Sequence, residues 1–490
     1  MFMETFTTIT CIQKQPVIVS MSNARYPVSV SVFDFHGRPP LSRALPLSLQ
    51  HILAMIMGTI TVPIIVSGAI GASTAETLLL IQISLVASAL STLIQLFGVW
   101  RFGARLPTIF GVGFAYVPTL TAVGAQYGLG GILGAQLIGG MAMLLVGFGI
   151  RPLRHLFPPV VAGVVVLVIG LSLYDIAIHY MAGGKGSADY GGGRQWLVAL
   201  VTLAVVLAIS QFGRGFIKLA AIICGIVVGY ALALALGMVD FTAVHQAAWF
   251  SAPRPLPVTL EFAPVAILSM VIICVVNSVQ TIGDLSATTI GGMNRELGHR
   301  ELSGGLLGNG LCTLVGALFA ALPTASFSQN VGIVAMTKVI SRSVLALAAL
   351  FLLAAGLMPK FGALMTTIPY PVLGGATITV FGMITMTGIQ LLTRDELSGR
   401  NMTIASLALA LGLGLAAAPQ AIAALPDTIE MAIGGSPVVV AALTAVLLNL
   451  LLPHKSLADE QAERERLAAR MEASDTAPAS VPASSRCDSQ

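Results

Sequence analysis

The chain of 490 residues is 56% hydrophobic and only 9% charged, with a formal net charge of +4. Soluble domains carry about 25% charged residues, and a soluble chain of this length would divide into domains with polar exteriors. The expected solvent is therefore a lipid bilayer. The positive charge does not indicate nucleic-acid binding, because the basic residues lie in short loops and form no basic face. Five cysteines without a CxxC pair predict neither a disulfide framework nor a metal site.

The hydrophobic pattern predicts an all-α polytopic membrane protein with fourteen transmembrane segments. A helix needs about 20 apolar residues to cross the hydrocarbon core, and the third and tenth runs are too short to be ordinary spans. The predicted spans are 47–70, 76–98, 109–124, 129–150, 159–181, 195–212, 216–237, 263–289, 303–322, 327–341, 343–359, 362–388, 402–419 and 435–452.

The loops between these runs predict the orientation and the tails. Lys and Arg concentrate in loops on one side, which is predicted to be cytoplasmic, and an even number of spans places both termini there. The chain then divides into a cytoplasmic tail at 1–45, a transmembrane domain at 46–453 and a second cytoplasmic tail at 454–490. The first tail lacks the apolar run of a signal peptide, and Met21 is an alternative start. The last tail is predicted to be helical from Ala458 to Glu472 and then disordered.

An internal repeat divides the transmembrane domain into two halves. Leu106–Pro107–Thr108 recurs 216 residues later as Leu322–Pro323–Thr324, and the halves cover about 47–237 and 263–452. Seven spans are an odd number, so the second half is predicted to be inverted relative to the first. Inverted-repeat transporters bind substrate where two interrupted segments meet, because non-helical backbone at membrane depth must be buried or line a cavity. The two short segments therefore predict a mid-membrane substrate site.

Polar side chains form a stripe on the eighth predicted span. Helical spacing places them on one face, and such residues are costly in a membrane unless they have partners or a function. The stripe consists of Asn277, Gln280, Thr281, Asp284 and Thr288. It predicts either a face toward a substrate cavity or a hydrogen-bonded seam between helices. Asp284 is its one ionisable residue, and it could carry a proton or anchor the opposing short segment.

The second short segment carries two amide side chains where its helix should begin. The Gln329 amide offers donors and an acceptor to the edge of a planar ligand. Asn330 is predicted to be the N-cap of a helix that runs through Thr337. His51, at the start of the first span, is interpreted as either a functional or a structural residue.

These residues resemble the nucleobase–ascorbate transporter family, also called nucleobase:cation symporter-2. Gln329, Asn330 and Gly332, followed by Thr337, match its Gln/Glu-Asn-x-Gly-x4-Thr signature. Further motifs are similar to the bacterial xanthine and uric acid permease branch. They are LQHILAMIMGTITVP (Leu49–Pro63), FPPVVAG (Phe157–Gly163), TIGDLSATT (Thr281–Thr289) and SFSQNVG (Ser326–Gly332).

The resemblance implies a homodimer in the bacterial inner membrane, with each chain divided into a core domain and a gate domain. It implies a purine held between the third, eighth and tenth spans, with Gln329 making a bidentate contact. Gln280 would face the base, and main chain near Ser328 and at Tyr116 would complete the contacts. The first short segment would bring an aromatic ring close to the base, within Phe114, Ala115 and Tyr116. Glutamine rather than glutamate at 329 favours a purine over a pyrimidine.

The chain departs from the family pattern at two acidic positions. The family's glutamate on the eighth span is Gln280 here, and its aspartate on the ninth span is Asn309. Asp284 and His51 remain as titratable candidates for coupling to H+ or, as the alternative ion, Na+. The predicted function is secondary-active uptake of a purine of the xanthine or uric acid class, without cofactor or metal. The alternatives are an uncoupled facilitator and an anion transporter of the same architecture. The sequence contains no HExxH or GxSxG motif that would suggest an enzyme.

Overall fold

The computed structural model describes residues 33–149, 158–214, 216–252, 258–422, 424, 436–453 and 456–475. Most of the predicted N-terminal tail and the segment after 475 that is predicted to be disordered lie outside these residues. The described chain consists of helices and two strands of three residues each.

The elements follow one another in two similar series. The first contains α1 (Leu41–Ile70), α2 (Thr74–Phe97), β1 (Phe110–Val112), a 3-10 turn (Phe114–Tyr116), α3 (Val117–Phe148), α4 (Pro159–Met181), α5 (Gly193–Phe212), α6 (Phe216–Leu219), α7 (Ala221–Ala235) and α8 (Thr242–Gln246). The second contains α9 (Pro264–Met293), α10 (His299–Leu318), β2 (Thr324–Ser326), α11 (Ser328–Thr337), α12 (Arg342–Gly356), α13 (Pro359–Thr366), α14 (Tyr370–Leu392), α15 (Gly399–Ala417), a 3-10 turn (Pro419–Ile422) and α16 (Pro437–Leu451). A last helix, α17 (Leu457–Asp475), covers the charged stretch that is predicted to be helical.

Many of these helices can cross a membrane. Within the described residues, eight are long and apolar enough, and the bent pair α12 and α13, which meet at 82°, would make a ninth. The chain is therefore a multi-pass, mostly helical membrane protein, while the total of fourteen spans stays a prediction. The third predicted span contains β1, the 3-10 turn and the start of α3, and α3 is broken at Gly128, next to the predicted start of the fourth span, where φ is 61° and ψ is −162°. Glycine adopts such positive φ values at little cost.

The two short segments meet as an antiparallel pair of strands. Phe110 pairs with Ser326, Gly111 with Ala325 and Val112 with Thr324. β1 begins two residues after the first Leu-Pro-Thr sequence, β2 begins at the threonine of the second, and each strand leads into a helical turn. Opposite strand directions are what an inverted repeat requires of its two corresponding segments.

The helices fall into two groups that pack mainly within themselves. The strand-bearing group comprises α1, α2, α3, α9, α10, α11 and α12 with both strands, and the second group comprises α4, α5, α7, α14, α15 and α16. Glycines allow close packing in the second group: a Cβ atom on Gly388 of α14 would lie 2.4 Å from the backbone nitrogen of Leu167 on α4. The two strands lie next to the boundary between the two groups.

Two predicted boundaries are wrong. The first helix begins at Leu41 rather than near 47, because its first turn contains the polar residues Ser42 and Arg43 and so precedes the continuous apolar run. The predicted span 362–388 is divided between α13 and α14, which begins at Tyr370 and extends to Leu392. Pro369 and Pro371 explain this division, because proline disfavours helical conformation in the residue before it but suits the first turn of a new helix.

Candidate functional site

Side chains of α2 form hydrogen bonds with backbone N–H and C=O groups of β1. The Thr92 hydroxyl donates to the Phe110 carbonyl at 2.8 Å and accepts from the Phe110 N–H at 3.2 Å. The Ser88 hydroxyl accepts from the Val112 N–H at 3.1 Å. Strand backbone at membrane depth requires such partners within the protein. These buried polar residues of α2 therefore support the short segment.

A cavity of about 310 Å³ lies between the two helix groups, where the strands end. Its lining comes from the turn after β1, from β2 and the first turn of α11, and from α4, α9 and α14. The lining residues are Gly113, Phe114, Ala115, Val166, Ile169, Gln280, Ala325, Ser326, Phe327, Ser328, Gln329, Met383, Ile384, Met386, Thr387 and Gln390. All of them are uncharged, and the volume is at the lower end of the range for small-molecule sites.

The structure brings five of the six predicted substrate-binding residues to this cavity. They are Gln329, Gln280, Ser328, Phe114 and Ala115. The sixth, Tyr116, is fully buried and is not part of the lining. Its hydroxyl donates to the Thr324 carbonyl at 3.2 Å. Tyr116 therefore links the first short segment to the second.

Asp284 anchors the second short segment to α9. Its carboxylate accepts hydrogen bonds from the Ser326 hydroxyl at 2.5 Å and from the Ser328 hydroxyl at 2.8 and 3.0 Å. Asp284 is buried, with 8% of its surface exposed. Ser326 and Ser328 both line the cavity, so this carboxylate positions part of the cavity wall.

Asn309, which stands at the family's acidic position on the ninth predicted span, belongs to a buried amide network. Its Nδ2 donates to Asn277 Oδ1 at 3.2 Å, and its Oδ1 accepts from the Thr324 hydroxyl at 2.8 Å. The polar stripe on α9 therefore has two roles: Asn277 and Asp284 form a seam with neighbouring elements, while Gln280 lines the cavity. Each interpretation of the stripe holds for different residues.

Asn330 is not the N-cap of α11, so this prediction is wrong. The helix begins at Ser328, with Phe327 as the N-cap and no side-chain cap, so Asn330 lies within the first turn. Its Nδ2 donates to the main-chain oxygen of His51 at 3.0 Å and lies 3.1 Å from His51 Nδ1. Both residues are buried. This pair holds α11 against α1, because an amide buried in a membrane requires partners.

The two remaining signature residues lie away from the cavity lining. A Cβ atom on Gly332 would meet nothing within 4 Å. The Thr337 hydroxyl donates to the Ile333 carbonyl at 2.8 Å within α11. Both residues belong to the helix that carries Gln329, but neither contributes to the cavity surface.

The contribution of α4 and α14 to the cavity lining was not predicted from the sequence. Thr387 and Gln390 of α14 line the cavity opposite the short segments, together with Met383 and with Val166 from α4. A polar side chain within a membrane span is costly and indicates a function or a partner, and this criterion would identify Gln390 as a candidate if the predicted span included it. The predicted span ends at 388, so Gln390 falls in a predicted loop.

This fold and this cavity define the class of protein. A multi-pass helical bundle with two interrupted segments meeting beside an uncharged cavity has the organisation of a solute transporter. Solved transporter structures share the fold. The transmembrane domain of the cyanobacterial bicarbonate transporter BicA aligns with a TM-score of 0.56 at 15% identity, over 84% of this chain and 97% of that one. The murine anion transporter Slc26a9 aligns with a TM-score of 0.56 at 10% identity, over 89% and 73% of the two chains.

The family follows from the sequence over the same region. The Xan_ur_permease model (Permease family) matches residues 42–421. The chain belongs to this family of permeases, the nucleobase–ascorbate transporter family, and is a transport protein rather than an enzyme.

Bacterial relatives are similar over nearly their whole length. The uric acid permease PucK of Bacillus subtilis is 38% identical over 82% of this chain and 94% of its own. The xanthine permease of the same organism is 35% identical, over 84% and 94%. The xanthine permease XanQ of Escherichia coli K12 is 32% identical, over 88% and 96%.

Proposed function

We propose that this protein takes up a purine nucleobase of the xanthine or uric acid class. The observation that carries the proposal is the cavity, which combines the amides of Gln280, Gln329 and Gln390 with the Phe114 ring and, among the described residues, has no charged side chain in its lining. Such a lining suits a flat, neutral heterocycle whose edge alternates donors and acceptors. The relatives named as xanthine and uric acid permeases support the same class of substrate.

The two short segments provide the contacts for such a ligand. Ser328 and Gln329 are the first two residues of α11, and the first N–H groups of a helix have no intrahelical acceptors. They are free to donate to a carbonyl oxygen of the purine while the Gln329 amide binds an adjacent edge. Phe114 lies edge-on to Phe381, with ring centroids 5.1 Å apart, and offers an apolar surface to the base.

The proposed transport cycle is alternating access coupled to H+, with the protein in a bacterial inner membrane and both termini cytoplasmic. Two arrangements support it: the cavity lies between two helix groups that each pack mainly within themselves, and Asp284 contacts the cavity-lining residues Ser326 and Ser328. Protonation of Asp284 would remove a charge that holds these hydroxyls. A proton could therefore change the shape of the substrate site.

An uncoupled facilitator is the second candidate, since two positions that are acidic in the family carry Gln280 and Asn309. Asn309 is held in a network of neutral partners, so it has a structural role that requires no proton. An anion transporter is less well supported, because the described cavity lining has no basic residue. Accumulation of substrate under an imposed pH gradient distinguishes the coupled carrier from the facilitator.

Uptake of radiolabelled xanthine and uric acid tests the substrate class and the site together. We expect saturable uptake by the wild type, and a loss of at least about tenfold in Gln329→Ala from the missing hydrogen bonds. Gln211→Ala is the matched control, because Gln211 is exposed at the end of α5. Membrane levels of each variant are measured by immunoblotting. Saturable purine uptake that survives in Gln329→Ala at normal levels would refute the site.

A further inference from the structure

A second cavity, of about 370 Å³, lies where α1 and α12 begin and α2 ends. His36, Arg38 and Arg342 form its polar part, and the exposed apolar residues Leu41 and Phe97 contribute to the rest. Neither the proposed substrate nor its coupling uses this cavity. It combines a cationic end with apolar walls.

The wall of this cavity is fixed by hydrogen bonds rather than formed by a loose loop. The Ile340 N–H donates to the Phe33 carbonyl at 3.0 Å, and the Arg342 N–H donates to the Phe35 carbonyl at 3.2 Å. The Ser341 hydroxyl donates to the Gly37 carbonyl at 2.8 Å. Residues 33–37 are thereby tied to the beginning of α12, and the segments that carry Arg38 and Arg342 are joined at the cavity.

The two arginines carry charge that no carboxylate neutralises within the described residues. The Arg342 guanidinium carbon lies 5.6 Å from the ring centroids of both Phe35 and Phe97. These cation–π contacts orient the side chain but leave its charge uncompensated. Among the ion pairs of the described chain, none involves Arg38, Arg342 or Asp34, the acid that lies nearest in sequence.

The apolar part extends from the arginine along α12. Arg342, Ala346 and Leu350 line the cavity at four-residue intervals, so they lie on one face of the helix. At 1.5 Å per residue the face runs about 12 Å along the helix axis from the Cα atom of Arg342 to that of Leu350. Leu350 is 52% exposed and Phe97 is 48% exposed, on the outer surface of a membrane-spanning bundle. A ligand that fits has an anionic head beside the arginines and an apolar chain along α12.

We propose that this cavity binds an anionic phospholipid, with its phosphate on Arg38 and Arg342 and an acyl chain along Ala346 and Leu350. Basic pockets between helices at the cytoplasmic face are suited to such head groups. The chain's own first 32 residues are a poorer match, because they contain one acid, Glu4, against Lys14 and Arg25. Lipid binding here is independent of which solute the protein carries.

Native mass spectrometry of the purified full chain tests the proposal with phosphatidylglycerol and phosphatidylcholine of matched acyl chains. We expect retention of phosphatidylglycerol over phosphatidylcholine, and binding about fivefold weaker for each arginine removed in Arg38→Gln and Arg342→Gln. Arg43 is exposed on the first turn of α1, and Arg43→Gln removes one positive charge as the other two variants do. This control should bind phosphatidylglycerol as the wild type does. Arg38 is exposed, so its variant tests binding even if Arg342→Gln folds poorly.

Thermal shifts with the same lipids provide an independent measurement. Stabilisation by phosphatidylglycerol that is lost in Arg38→Gln and kept in Arg43→Gln supports the lipid site. Equal retention of the two lipids, or unchanged retention in both arginine variants, overturns it. Equal stabilisation by glycerol 3-phosphate would indicate a site for free anions, and lipid binding only after removal of residues 1–32 would assign the cavity to that segment. Either result also refutes the proposal.

Discussion

At the scale of single residues, Asp284 is a titratable group that contacts the lining of the cavity. Its carboxylate accepts from two serine hydroxyls of the second short segment. Hydrogen bonds to a charged acceptor are stronger than those between neutral groups. The charge state of Asp284 therefore determines how firmly Ser326 and Ser328 are held in the cavity wall.

Asp284→Asn tests whether this residue couples transport to H+. Asparagine can still accept from a serine hydroxyl but cannot exchange a proton, so we expect equilibrative uptake without accumulation. Proteoliposomes with an acidic exterior and radiolabelled purine provide the measurement. The control is Asp240→Asn. Asp240 is exposed, and its carboxylate accepts hydrogen bonds from Thr242 at the start of α8. Coupling through Asp284 is excluded if wild type and Asp284→Asn accumulate purine equally, or if the wild type only equilibrates it.

At the scale of elements, the close contact of α4 with α14 sets one wall of the cavity. Gly388 of α14 approaches the backbone of Leu167, and Gly170 of α4 approaches Thr385. The same two helices carry Val166, Thr387 and other lining residues. A small change in the distance between these helices therefore alters the cavity directly.

Gly388→Ala should separate the two helices and impair both stability and uptake. The new Cβ would lie 2.4 Å from the Leu167 nitrogen, so backbone must shift, at a cost of about 1–3 kcal/mol. Melting in detergent and purine uptake measure the effect. Gly382→Ala on the same helix is the control, because its Cβ would meet nothing within 4 Å. Equal melting temperatures and uptake for the two variants would show that this contact is not limiting.

At the scale of the whole molecule, the proposed transport cycle requires relative motion of the two helix groups. One polar contact between them joins Thr119 of α3 to Ser436 at the start of α16, whose hydroxyl oxygens are 3.4 Å apart. Both residues are buried. A covalent bond at this point would hold the groups in the arrangement seen here.

Cysteines at these two positions test whether the groups must move. We expect oxidative cross-linking of Thr119→Cys with Ser436→Cys to stop uptake, and a reducing agent to restore it, because alternating access is blocked. The single-cysteine variants, treated with the same oxidant, are the controls. Full uptake by a quantitatively cross-linked protein would contradict motion at this boundary.

The sequence alone determined the membrane class and the repeated Leu-Pro-Thr segments, and it selected Gln280 and Gln329, which line the cavity, as candidate site residues. These features depend on hydropathy, local spacing and the cost of polar groups in a bilayer, all of which are local properties of the chain. The helix boundaries near Leu41 and Tyr370 were less accurate, because a helix can include a polar first turn and end at prolines inside an apolar run.

Tertiary structure decided which polar residues share the site and which support it. Sequence spacing cannot show that Asn330 turns toward His51 on α1, that Tyr116 bonds Thr324, or that Gln390 faces the short segments across the cavity. Each contact joins residues far apart in the chain, and its partner is set by helix packing. The sequence therefore located the two short segments, and the packing of the two helix groups around them formed the cavity.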